Sequence, residues 1–310
     1  MTTDLHSSAE RYRNWGKWGE HDQVGTLNYI TPDKIVKAAR LVRKGLVFSL
    51  AIDFNQNGPQ SGRARVNPVL SMRSTGADFV SGSRQNPSGF GGADDHLFMS
   101  LQAATHWDAL SHIFDRNQMW NGYNANNVNS LGAKLNGVEN IRAKIVTRAV
   151  LLDLPRFKGV ERLADGYAIT EADIIACLDK QEVAVGTGDI LLIRTGQLGY
   201  CKQHGWGAFA GGDAPGLSFS TAGWLHRTQL AGVASDTWGV EVRPNELPNS
   251  YQPLHQVMIP NMGLLVGEMF DLDALAADCA SDHIYDCLFV APPLPITGAV
   301  GSPVNPQAIK

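Results

Sequence analysis

The sequence predicts a mixed α/β (α+β) fold, and three observations carry that prediction. Short runs of β-branched and aliphatic residues, Val146 to Asp153 (VTRAVLLD) and Asp189 to Thr195 (DILLIRT), are bounded by turn formers as buried strands are. Between them Thr170-Glu171-Ala172-Asp173 opens an amphipathic helix that runs to Lys180. Strands and helices alternate without strict βαβ regularity, which argues against a (β/α)8 barrel. With 310 residues, 44% of them hydrophobic, the chain can bury a large core, and one elaborated domain over residues 1–310 is the expected organisation.

The first 45 residues read as a charged, aromatic arm followed by a helix. Thr31 is placed to cap it and Pro32 to occupy its first position; the helix runs through Ile35, Ala38, Ala39 and Leu41 and ends near Gly45. Val47 to Phe54 reads as a strand. Residues 55–94, rich in Gly, Ser, Asn, Pro and Arg, read as a long irregular excursion serving as a lid or an interface loop. Leu97 to Asp108 reads as a strand, and Phe114 to Asn129 as a loop near its end. Further on, Ser220 starts a helix carrying Trp224 and Leu225, Gly232 to Asp236 and Leu264 to Phe270 read as strands, and Leu254 to Pro260 is ambiguous. Val290 to Pro295 closes the pattern.

Composition excludes several functional classes. The 26 basic and 30 acidic residues give a net charge of −4 and are spread along the chain, so no footprint for nucleic acid or an anionic membrane stands out. No apolar run approaches the roughly 20 residues that span a bilayer, and Met1 to Glu20 lacks the hydrophobic core of a signal peptide, so a cytoplasmic location is expected. Cys177, Cys201, Cys279 and Cys287 show no CxxC spacing and are expected as free thiols. Cys201, beside Lys202 and near His204, lacks the local turn that would make it a nucleophile.

The densest ligand chemistry is Thr105-His106-Trp107-Asp108-Ala109-Leu110-Ser111-His112. In an extended backbone Gln102, Ala104, His106 and Asp108 share one side, and Trp107 faces the other. Imidazole nitrogen and carboxylate oxygen are ordinary ligands for Zn or Mn, and His112 is placed to act as acid or base above such an ion. A hydrogen-bonded His106–Asp108 pair inside a strand is the plain structural reading of the same residues. Thirteen residues separate His255 from Glu268, and a turn through Pro260, Asn261 and Gly263 would bring them together beside the first cluster. Trp107, Trp120, Tyr123, Trp238 and Phe270 flank these segments as candidates for an apolar wall, with Trp120, Tyr123 and Trp238 the candidate substrate-binding residues and Trp107 a packing residue. Asp236 either bonds a ligand histidine or caps a turn.

The segment Gln102 to His112 resembles the signature His-x-Gly-Thr-His-x-Asp-x-Pro-x-His of the metal-dependent cyclase family, which includes bacterial kynurenine formamidase, isatin hydrolase and trans-dienelactone hydrolase. Thr105, His106, Asp108 and His112 match; Gln102, Ala104 and Leu110 replace the first His, the Gly and the Pro. Gly25-Thr26-Leu27-Asn28 with Ile30-Thr31-Pro32, and Gly188 to Gly196, resemble further segments of the family, so the likeness extends over about residues 22–275. It implies a swivelling β/β/α fold, a homodimer or homotetramer, and a divalent metal. Carried over by position, His106, Asp108, His255 and Glu268 would be ligands and His112 the acid/base residue. Gln102 would be a weak neutral ligand or a second-layer donor, which leaves open how many ions bind and whether Mn is preferred to Zn.

These readings converge on a metal-dependent hydrolase that opens an amide, lactam, lactone or related ester bond in a small cyclic or aromatic carbonyl compound. A dehydrating cyclase is the alternative within enzymology. A non-catalytic small-molecule binder on the same fold is the alternative outside it, kept open by Gln102.

Overall fold

The computed structural model describes residues 4–310; the first three residues of the N-terminal arm lie outside it. The centre is a nine-stranded mixed sheet built from β1 (Val47–Ser49), β2 (His106–Asp108), β3 (Val146–Asp153), β4 (Ile190–Arg194), β5 (Gly232–Ser235), β6 (Leu265–Glu268), β7 (Asp286–Val290), β8 (Gly301–Pro303) and β9 (Gln307–Ile309). Their spatial order is β1-β9-β7-β3-β4-β5-β6-β2-β8. The inner strands β3, β4, β5 and β6 run parallel; every other pairing is antiparallel. The parallel strands are buried on both faces, which explains their nearly unbroken apolar runs. One face packs Val150, Leu152, Leu191, Ile193, Val233 and Val266 into a large core; the other packs Leu151, Ile190, Leu192, Trp107 and Phe289 into a second.

Local chemistry sets the helices. Helix α1 (Leu5–Arg11) is capped by Asp4, and α2 (Pro32–Ala39) by Thr31 with Pro32 at its first turn. Helix α2 stops at Ala39, short of the expected Gly45, and packs against β3. In α3 (Glu171–Lys180) the Thr170 hydroxyl accepts from Asp173 N while the Asp173 carboxylate accepts from Thr170 N, a reciprocal box that satisfies two donors of the first turn. Its Ile174, Cys177 and Leu178 are buried against the first core. Helix α4 (Ala222–Thr228) carries Trp224 and Leu225 as expected. The ambiguous 254–260 stretch is a short helix, α5 (Pro253–Val257), continued by a wide turn at Met258–Met262. No helix among the described residues is long and apolar enough to cross a membrane.

Several expectations need correction. The 47–54 strand is three residues long, continued by an isolated bridge from Ala51 to Phe270. Residues 55–94 are not wholly irregular: Val69–Ser74 pairs with Asp94–Phe98 in a hairpin arm, with a short helix at Gly76–Val80 between them. The 97–108 segment is not one strand, because the chain turns at residues 101–105 between the arm and β2. The closing strand lies before Val290 rather than after it, and β8 and β9 follow.

Candidate metal centre

The register of β6 on β2 builds the centre. Glu268 stands directly opposite His106 and Val266 opposite Asp108, so alternation puts His106, Asp108 and Glu268 on one face. The intervening pair, Trp107 opposite Gly267, faces the other way. Trp107 is fully buried there, donating from Nε1 to the Ala291 carbonyl at 2.9 Å and meeting Phe270 edge-on at 5.0 Å. A Cβ at Gly267 would lie 2.5 Å from the Trp107 ring, so glycine is what lets the indole lie across β6. Trp107 and Phe270 therefore pack the core, as the alternation predicts for Trp107.

His106, Asp108 and Glu268 offer ligand atoms all within 4.8 Å of one another, and all three are buried. Because a carbonyl can only accept, the 2.8 Å contact of His106 Nδ1 with the Ala104 carbonyl places the proton on Nδ1 and turns Nε2 toward the carboxylates. Nε2 is 3.4 Å from Asp108 Oδ1 and 3.3 Å from Glu268 Oε2, yet this buried nitrogen has no hydrogen-bond partner among the described residues. A buried nitrogen of that kind, flanked by two carboxylates, fits a divalent cation.

His255 meets the other oxygen of the same carboxylate, its Nε2 3.2 Å from Glu268 Oε1. Glu241 fixes its position. That carboxylate accepts from the backbone N–H groups of Leu254 (3.1 Å) and His255 (2.9 Å) at the start of α5, and from His255 Nδ1 at 2.5 Å. The bond to Nδ1 leaves Nε2 facing Glu268, an arrangement like that of a carboxylate behind a ligand histidine. Nothing in the sequence marked Glu241: it sits in an apolar stretch, Val240-Glu241-Val242, and its partner His255 is fourteen residues on.

Burial alone would hold both imidazoles below their ordinary pKa. The Asp108 and Glu268 carboxylates outweigh it at His106, raising it to about 9, and Glu241 and Glu268 outweigh it at His255, raising it to about 10. Burial likewise opposes ionisation of Asp108 and Glu268. The surrounding histidines nonetheless hold both carboxyls below their usual range.

Gln102 reaches the centre from the turn rather than from a strand. Its Nε2 donates to Asp108 Oδ1 at 3.2 Å and to His112 Nδ1 at 3.1 Å. An amide pointing its N–H groups at a carboxylate and an imidazole acts as a donor, not as an oxygen ligand. Gly301 makes room for it, since a Cβ there would lie 2.9 Å from Gln102 Cγ. His112 Nε2 lies 3.8 Å from Asp108 Oδ1, and burial, reinforced by the positive charge of Arg65, lowers its pKa. With His255 it lines a cavity of about 590 Å³ whose other walls include Phe114, Tyr251, Gln252 and Leu5 of α1.

The expected aromatic wall is placed differently. Trp120 is fully buried and donates from Nε1 to Asp22, and Tyr123 donates its hydroxyl proton to the Glu20 carbonyl. Neither lines the cavity; both hold the N-terminal arm in place. Trp238 does lie near the centre, with the Arg65 guanidinium 5.2 Å from its ring centroid. Asp236 caps a turn: its carboxylate accepts from Thr195 N, Thr195 Oγ1 and Gly196 N. Burial, more than those bonds can offset, raises its pKa to about 6. Cys201 is half-buried with its pKa raised by burial, the opposite of an activated thiol, and all four cysteines are free.

The model of a family described as "Putative cyclase" matches residues 22–242. The chain belongs to this cyclase family. Among curated proteins no sequence matches. A crystal structure titled as a novel cyclase is 41% identical, covers 96% of the chain and 99% of its own, and superposes with a TM-score of 0.89. Isatin hydrolase A from Ralstonia solanacearum shares 18% identity over 91% of this cyclase and 98% of its own chain, TM-score 0.63. An isatin hydrolase bound to the product analogue thioisatinate shares 17% over 90% and 98%, TM-score 0.58. At these lower identities the similarity shows the shared fold, which is the one the sequence motif implied.

Proposed function

We propose that this cyclase-family chain is a metal-dependent hydrolase that opens an amide, lactam, lactone or related ester bond in a small cyclic or aromatic carbonyl compound. The observation that carries the reading is the buried His106, Asp108 and Glu268 triad, with His106 Nε2 free of hydrogen bonds among the described residues and turned toward the carboxylates. The fold it shares with isatin hydrolases supports it.

His106, Asp108 and Glu268 would hold Zn or Mn, with His255 completing the set behind Glu241. When bound, the ion supplies Lewis acidity to a carbonyl and acidifies a water. The chain's own groups do the rest. Gln102 donates to Asp108 and His112 together, so it fixes the spacing between a ligand and the proton-transfer group. His112, in the wall of the cavity, takes a proton from the attacking water at a ring nitrogen and returns it to the departing nitrogen or oxygen. Residues 55–94 cover part of the centre through Gln60 and Arg65, while their arm leaves Val69, Leu70, Met72, Leu97 and Phe98 exposed. A second copy in a homodimer or homotetramer would cover the side of that arm formed by Leu70, Met72 and Leu97, which light scattering would detect. A cytoplasmic location accords with the free cysteines.

Elemental analysis, followed by assay on lactones, lactams and N-formyl anilines before and after chelation, tests the reading. Near-stoichiometric Zn or Mn with turnover lost on chelation is the expected result; full activity after chelation and dialysis would sink it. A dehydrating cyclase would form rings in the same panel instead. Gln102 in place of an imidazole favours the second reading, a binder, and a metal-free protein that still binds aromatic ligands would establish it.

A further inference from the structure

Arg65 brings a positive charge to the centre that none of the metal-ligand roles uses. Its Nη1 donates to the Gln102 carbonyl at 3.3 Å and stands 4.0 Å from Glu268 Oε2, with the side chain 17% exposed. The guanidinium is held in place from two sides. Its plane neighbours the Trp238 ring, whose Nε1 donates to Gln60 Oε1 at 3.3 Å, and Gln60 Nε2 donates to the Ala103 carbonyl at 2.7 Å, just ahead of β2. A guanidinium carries five N–H donors, and among the described residues only Nη1 has a hydrogen-bond partner. The others remain for a ligand.

Charge counting shows what this cation does. Asp108, Glu241 and Glu268, all buried, bring three negative charges to the centre, and histidines that bind a metal are neutral. One divalent ion leaves a net charge of minus one. Arg65 brings the sum to zero. Hydrolysis of an acyl compound builds an oxyanion and releases a carboxylate, and a net-negative buried pocket would repel both.

We infer that Arg65 is a substrate-binding residue, one that takes an oxygen of the scissile acyl group as negative charge develops and holds the carboxylate product. The inference rests on the hydrolase reading, in which every proposed substrate releases a carboxylate when its acyl bond is hydrolysed. In the reaction water oxygen bonds to the carbonyl carbon, the carbon–nitrogen or carbon–oxygen bond breaks, the leaving atom gains the proton held by His112, and the new carboxylic acid gives up the second water proton to solvent as it becomes the carboxylate. Arg65 exchanges no proton and contributes charge-assisted hydrogen bonds only.

Titration calorimetry of the metal-loaded protein with benzoate, and with neutral benzamide as its comparison, tests this without turnover. Arg65→Gln should weaken benzoate by about tenfold or more, the cost of losing a charged partner, and leave benzamide and the metal content unchanged. Arg65→Lys, which keeps charge but loses the fork, should fall between. Equal weakening of both ligands would show a merely structural residue. Loss of metal in Arg65→Gln, or benzoate binding that the wild type lacks or the substitution does not alter, would equally overturn the inference. Benzoate affinity is read independently of catalysis, so failure of the hydrolase reading, seen as turnover surviving chelation, is a separate result.

Discussion

Glu241 touches none of the triad, yet substituting it should loosen the metal. Glu241→Gln keeps the shape and removes the charge. In the native protein the carboxylate accepts three hydrogen bonds, two from the first backbone N–H groups of α5 and one from His255 Nδ1. A glutamine can accept with one atom only, so its NH2 must face one of those donors, and the bonds that remain lose their charge assistance. Charged hydrogen bonds contribute about 1.5–3 kcal/mol against about 0.5–1.5 for neutral ones, so each bond that loses its charge assistance costs about 1–1.5 kcal/mol, roughly tenfold, and one or two such bonds span the 10- to 100-fold loss of metal affinity expected when an outer carboxylate behind a histidine ligand is changed. Competition of wild type and variant against a fluorescent chelator measures the difference directly, and the melting temperature without metal separates it from a general loss of stability. Unchanged metal affinity in Glu241→Gln would refute the assignment of His255 as a ligand held by Glu241.

Four further outcomes are expected. His112→Ala should retain its metal by elemental analysis and lose turnover by about 10²- to 10⁴-fold, the scale of a lost acid/base group, whereas Asp108→Ala should lose both. Gly267→Ala should destabilise the fold by about 1–3 kcal/mol in urea titration, because its Cβ would press on the Trp107 ring. Metal at 100 times its dissociation constant should stabilise the protein by about 2.7 kcal/mol relative to chelated samples, visible as a raised melting temperature. Asp173 resists burial by bonding Lys158 and Thr170, which lowers its pKa to about 2 from an ordinary 3.8. A carboxylate depressed in the folded state stabilises above its unfolded pKa, so Asp173→Asn should cost about 1 kcal/mol at pH 7, with the cost disappearing as pH falls from about 4 toward 2.

Features with local causes were legible in the sequence. Thr31 with Pro32 and Thr170 with Asp173 start their helices as expected, because a cap is decided within four residues. β3 appears at Val146–Asp153 because a strand buried on both faces carries its pattern in every residue. His106 and Asp108 share a side, opposite Trp107, by strand geometry alone. Arg65 was missed because it is an isolated charge on an irregular segment whose partners come from distant parts of the chain, and Glu241 because the turn that returns His255 to it leaves no periodic signal. Trp120 and Tyr123 look like site residues in one dimension, but their polar atoms bond to Asp22 and Glu20 in the N-terminal arm. The strands β8 and β9 are three residues each, and β8 ends in Pro303, so periodicity had little to register.

The pairing of β2 with β6 has a bearing on assembly. Its two halves, His106 and Glu268, lie about 160 residues apart in the chain, so the ion pocket does not exist until a very long loop has closed. A slip of one residue in that pairing would turn Glu268 to the far side and put Gly267 where the ligand belongs. An ion bound there would reward only the correct alignment, and its pocket would be complete only once these long-range contacts have formed. On the proposed reading, a bound metal would select the register of this sheet as well as serve the chemistry.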